Sequence, residues 1–105
     1  MMITQETIEK IEKTFDIKLY NFQKDYLLGM SNHLGYMRAS GRTFAYMLRL
    51  LLEDGEEIPF REVRSGNYND GHYGSEYKRW FSRELYELNL KLIKAGFKTR
   101  LNIKK

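Results

Sequence analysis

Cysteine is absent from the chain, which removes disulfides, thiolate metal sites and a cysteine nucleophile. Proline occurs once, at Pro59, and no apolar run approaches the roughly 18 residues that a membrane span needs. The opening stretch MMITQETIEKIEK carries acids early and lacks the charged-then-apolar pattern of a secretory leader, so none is expected. With no thiols and no leader pattern, the cytosol is the expected compartment. Acidic residues stop at Glu87, so the last part of the chain has no negative side chain.

What is present is a modest apolar fraction in a charged chain. The 105 residues are 42% apolar, 14% aromatic and 30% charged, which suits one helix-rich domain spanning 1–105 with a single small core. The net charge is +4, and its placement is uneven. Residues 1–55 hold seven Lys/Arg against seven Asp/Glu, whereas residues 56–105 hold eleven against seven. Lys91, Lys94, Lys98, Arg100, Lys104 and Lys105 all follow the last acid. Such a basic end suits phosphates or an acidic protein surface, or it is simply a solvated face.

Periodicity predicts the elements. Thr4 is placed to cap a first helix to about Thr14, with Ile8, Ile11 and Phe15 on its apolar side. A second runs from about Asn21 to Met30, with Phe22, Tyr26, Leu27 and Met30 apolar. A third begins near Arg42 and keeps Phe44, Met47, Leu48 and Leu51 on one face until EDGEE stops it. IPFREV reads as an edge strand, because Pro59 withdraws a ladder donor. RSGNYNDGHYGSEY reads as a long loop or a hidden hairpin. Ser75 then caps the longest helix, which carries Tyr77, Phe81, Leu85, Leu88 and Leu92 on one stripe and ends at Ala95, with Gly96 beyond it. FKTRLNI alternates as a strand. The expected class is α+β, dominated by helices, with about four helices and two or three short strands.

One short motif asks for chemistry. Ser40, Gly41, Arg42 and Thr43 stand immediately before a helix, as in a phosphate-binding loop, where backbone N–H groups wrap an anion and a hydroxyl holds Mg²⁺. The full pattern requires Gly where Tyr36 stands and Lys where Arg42 stands. The same residues also make an ordinary helix start, with Ser40 as cap. Gln23, in LYNFQKDYL, lies eighteen residues before Gly41. Over residues 18–52 this arrangement resembles the opening of superfamily-two helicases and phage terminase large subunits, in which an aromatic–Gln segment precedes the phosphate loop. The resemblance implies that Gln23 faces an adenine and Ser40 to Thr43 face phosphates, with ATP and Mg²⁺ as the ligands. It stops there. LLLED lies on the same expected helix, only ten residues after Thr43, and reads as a helix end, not an acidic metal motif. Hydrolysis is therefore not expected, and no catalytic residue is assigned.

The whole chain also resembles short accessory proteins of Gram-positive phages and prophages, which pair an N-terminal helix, an aromatic–Gln helix and a G-[KR]-T helix start. That resemblance implies a mobile-element origin and action in the host-cell cytosol; by analogy with small phage proteins of this size, the expected action is to bind and inhibit host machinery such as a CRISPR effector nuclease.

The other unusual stretch mixes cations with aromatic rings. Arg61, Arg64, Lys78, Arg79 and Arg83 interleave with Tyr68, His72, Tyr73, Tyr77 and Trp80. Bases stack on rings and phosphates pair with cations, so single-stranded nucleic acid fits this mixture, as does a protein interface rich in Tyr, Trp and Arg. Tyr77 and Phe81 continue the apolar stripe and read as core, whereas Tyr68 and Tyr73 are the better contact candidates. With Lys94, Lys98 and Arg100 these residues form the expected partner surface, for nucleic acid or a nucleoprotein or host protein complex. His33 and His72 are too far apart to read as a local metal pair.

Overall fold

A computed structural model describes residues 3–30, 41–68 and 74–104. They form five helices and two short strands: α1 (Gln5–Phe15), α2 (Asn21–Leu27), α3 (Arg42–Leu52), β1 (Ile58–Pro59), α4 (Phe60–Arg64), α5 (Ser75–Lys94) and β2 (Leu101–Asn102). The class is α+β and helix-dominated, as the periodicity predicts. Contacts group into two compact units, Met1–Glu53 and Asp54–Lys105.

In the first unit, α1 starts on a reciprocal cap. The Thr4 N–H donates to Thr7 Oγ1 at 3.1 Å, and the Thr7 N–H donates to Thr4 Oγ1 at 3.3 Å, so two donors of the first turn are satisfied. Ile8 and Ile11 are fully buried. Phe15 meets Phe44 of α3 edge-to-face at 5.6 Å between ring centres, which joins the first and third helices. The Leu19 N–H donates to Glu12 Oε2 at 2.8 Å, which fixes the link between α1 and α2. Helix α2 ends at Leu27, earlier than the expected Met30, because the chain turns out through Gly29 at φ +78°. Ala45, Leu48, Leu51 and Leu52 of α3 are buried, so α3 supplies much of this core.

In the second unit, α5 provides the buried stripe expected of it: Phe81, Leu85 and Leu92 are completely inaccessible and Leu88 nearly so. The helix closes through Gly96 at φ +93°, where the Phe97 N–H donates to the Leu92 carbonyl at 2.9 Å. Phe97 is buried, and the chain then returns to place β2 beside β1. The strands run parallel, with Ile58 opposite Leu101 and Pro59 opposite Asn102.

Three local expectations are corrected. FREV is helical, not strand: Pro59 sits at the N-cap of α4 at φ −68°, and only Ile58 and Pro59 pair with β2. A proline has no N–H with which to continue a ladder, and its fixed φ suits a helix start. Ser75 is the first helical residue of α5; the N-cap is Gly74, which makes no side-chain bond. In FKTRLNI only Leu101 and Asn102 pair, and Ile103 is 44% exposed in place of joining the alternating inner face.

Leu85→Ala should lower stability by about 2–5 kcal/mol, the usual cost of a cavity at a filled site. Leu90→Ala on the outer side of the same helix should stay within about 0.5 kcal/mol. Urea unfolding of both variants checks the assignment of inner and outer faces.

Candidate functional site

Gln23 and Gly41, linked in the sequence only by a motif, are in direct contact. Gln23 is buried on α2. Its Oε1 accepts from the Tyr20 N–H at 2.8 Å, which satisfies a donor at the start of α2. Its Nε2 donates to the Gly41 carbonyl at 2.9 Å. That same carbonyl accepts the first helical bond of α3, from the Ala45 N–H at 3.0 Å. One amide therefore ties the starts of two helices together. Gly41 adopts φ +135°, and a Cβ there would come within 2.7 Å of Gln23 Nε2. The backbone angle favours glycine, and a side chain there would push the Gln23 amide out of its bond.

Arg42 and Thr43 begin α3 and are half-buried. Ser40, the remaining member of the motif, lies outside the described residues, as do Tyr36, His33, His72 and Tyr73. The N-cap of α3 is Gly41, with no side-chain cap. At the other end of α3 the acids of LLLED follow the last helical residue, Leu52, and Glu53 Oε2 accepts from Arg49 Nε at 3.2 Å. This is the helix end that the spacing predicts.

The basic residues of the second unit divide by their surroundings. Arg61 and Arg64 on α4, and Arg79, Arg83 and Lys94 on α5, are exposed, as is Lys98. Lys78 is half-buried because its stem lies over Gly66, where a Cβ would approach Lys78 Cε to 2.8 Å. Arg100 Nη1 donates to the Glu56 carbonyl at 3.2 Å, so this guanidinium braces the approach to β1. Tyr68 is half-buried. Tyr77 stands between the buried Phe81, at 6.2 Å, and Trp80, at 5.4 Å between ring centres. Trp80 is 37% exposed, so the aromatic cluster runs from the core out to the surface. Among the described residues no group of three or more His, Cys, Asp or Glu is gathered to hold a metal.

A further cluster has no motif to announce it. The Arg49 guanidinium lies 4.6 Å above the centre of the Tyr26 ring and bonds Glu53. With Tyr46 and Leu50 these residues line a cleft of about 280 Å³. Burial pushes the Tyr26 phenol above its ordinary value, against the opposing pull of Arg49. The sequence signal was faint: Arg49 and Glu53 are four residues apart on one helix, and Tyr26 looks like any apolar-stripe residue.

No family model, no curated protein and no solved structure matches the chain.

Two outcomes test these geometries. Gln23→Ala strands the Tyr20 N–H and removes a bond from the Gly41 carbonyl, so it should destabilise by about 1–3 kcal/mol and lower Tm with no ligand present. The raised Tyr26 pKa means that its contribution is complete below the unfolded value of about 10 and is lost as pH rises through the folded value. Stability should accordingly fall at alkaline pH, and Tyr26→Phe should show a shallower fall in urea unfolding across that range.

Proposed function

We propose that this chain is a non-catalytic binding protein that acts by occupancy, engaging nucleic acid, alone or within a nucleoprotein assembly. The observation that carries the reading is the outer side of the first half of α5. Arg79 and Arg83 are exposed on one flank of Trp80, itself partly exposed, with Tyr77 packed against it. Arg61 and Arg64 of α4 are exposed in the same unit. Guanidinium groups pair with phosphates, and an accessible indole offers a stacking face for an unpaired base. The acid-free stretch after Glu87, with Lys94 and Lys98 exposed, adds a long-range attraction for polyanions. In its concrete form the proposal is a mobile-element protein that inhibits a host defence nuclease, such as a CRISPR effector, by covering a surface it needs.

A second reading, nucleotide binding at Gln23 and Gly41 to Thr43, rests on the fold bringing Gln23 beside the start of α3, where its amide meets the Gly41 carbonyl. In that reading the amide leaves its two internal bonds to meet a base. Thermal unfolding with millimolar Mg-ATP separates the two: a ligand of the folded state must raise Tm. The leading proposal expects no shift, and a rise that Thr43→Ala removes would replace it with the second.

Trp80 is the one tryptophan in the chain and reports directly on the proposed surface. Titration with a single-stranded oligonucleotide should quench its emission, and the affinity should fall steeply with salt. Arg79→Ala together with Arg83→Ala should weaken binding and reduce the log–log salt slope by about 1.4, as expected for two lost phosphate contacts on a single strand. Salt-independent binding, or emission unmoved by the strand, would refute the proposal.

A further inference from the structure

The cleft beside Tyr26 takes one wall from each of two helices. Tyr46, Arg49, Leu50 and Glu53 stand at i, i+3, i+4 and i+7, so they form one stripe along α3 and its end, and Tyr26 of α2 faces it. The two helices are pinned near their starts by the Gln23 bond to the Gly41 carbonyl, and near their ends by Arg49 stacked on the Tyr26 ring. The walls are therefore set before any ligand arrives. The cleft measures about 280 Å³, near the lower end for small-molecule sites. That is room for one ring with a short polar group, not for a nucleotide.

The lining fixes the chemistry of an occupant. Tyr26 and Leu50 are buried and, with the Tyr46 ring, give apolar walls. Arg49 supplies the one cation. Its Nε–H goes to Glu53 Oε2, and the Tyr26 phenol takes at most one further donor. A guanidinium has five, so at least three remain for a ligand. The bridge to Glu53 is thus not the two-bond contact in which a carboxylate occupies the guanidinium fork. Glu53 is also the more exposed partner, at 40% against 22% for Arg49. It is the C-cap residue of α3, so its carboxylate can turn to water without breaking the helix. A second cation is opposed, because Arg49 already covers the Tyr26 ring and would repel it. An anion with a flat apolar body fits: its oxygens meet the guanidinium and its ring lies against Tyr46 and Leu50.

From this we infer that the cleft is a binding site for a small aromatic carboxylate, held by Arg49, with Glu53 as an internal competitor for the same guanidinium. All five lining residues belong to the first unit, so the site is separate from the α5 surface proposed for nucleic acid and stands whether or not that surface binds a strand. It is separate as well from the start of α3, where the nucleotide reading places its phosphates.

The test titrates the full chain with benzoate, benzamidine and acetate, read by calorimetry and by Tm. Benzoate and benzamidine share a ring and differ in charge, whereas acetate keeps the carboxylate without the ring. Benzoate should bind at millimolar concentration or below and raise Tm, and benzamidine should do neither. Acetate should bind about tenfold more weakly or worse, because it buries no ring. Arg49→Lys keeps the charge but not the planar fork, and should weaken benzoate by about tenfold. Glu53→Gln removes the competitor and should tighten benzoate several-fold, a gain that a site without Arg49 at its centre would not show. Tm of each variant without ligand separates a lost site from a lost fold, and if Arg49→Lys does not fold, Glu53→Gln decides alone. The inference is overturned if benzoate does not bind, if benzamidine or acetate binds as tightly, if Arg49→Lys binds benzoate as well as the parent, or if Glu53→Gln leaves the affinity unchanged or lower.

Discussion

The phase of α5 is the constraint on which the second unit depends. Phe81, Leu85, Leu88 and Leu92 must all leave water, and a helix can turn only one stripe inward. Once they do, every other position is assigned. Arg79, Trp80, Arg83, Leu90, Lys91, Ile93 and Lys94 are turned outward by the burial of their neighbours. The candidate partner surfaces are thus by-products of core packing, and their order along the helix is the order of the sequence. Arg and aromatic side chains come first, and Lys and aliphatic side chains follow.

The first unit rests on a different device. Its helices meet through apolar contacts, but the positions of two helix starts are tied by the single amide of Gln23. A buried amide is costly unless both of its ends are paired, and here both are, one to an N–H and one to a carbonyl. The geometry at Gly41 follows from it, because a side chain there would collide with the amide. The residues that look like a nucleotide motif are accordingly also the residues that hold α2 and α3 together. Chemistry that needs the Gln23 amide would have to release a structural bond, whereas chemistry at the outer side of α5 would disturb nothing buried.

Much of the fold was legible in advance, and the reasons are local. Thr4 capped α1 because a threonine before an apolar three–four repeat is an arrangement the backbone itself recognises, and Gly96 closed α5 because few other residues tolerate its positive φ. Misreadings fell where local signals compete. Pro59 ends a strand as readily as it starts a helix, and FREV took the helix because Val63 could then turn into the core. Of the candidate site residues, the exposure of Arg79, Arg83 and Lys94 followed from the helical period of α5, whereas that of Arg61 and Arg64 came with α4, where a strand and a loop were expected. The bracing of Arg100 against Glu56 and the seating of Lys78 over Gly66 had no local signal, since each joins residues brought together only by folding.

By itself the sequence determined the helix-dominated class, the stripe that α5 buries, the cationic second half and the pairing of Gln23 with a glycine-led helix start as a pattern. These are properties of spacing and composition, and spacing survives folding. Only the tertiary structure decided that the Gln23 amide bonds the Gly41 carbonyl, that Arg49 covers Tyr26 beside a cleft, and that the strands pair in parallel over two residues. Each of those depends on the distance between segments far apart in the chain. That distance is set by how the apolar faces pack, a quantity no single window of sequence contains.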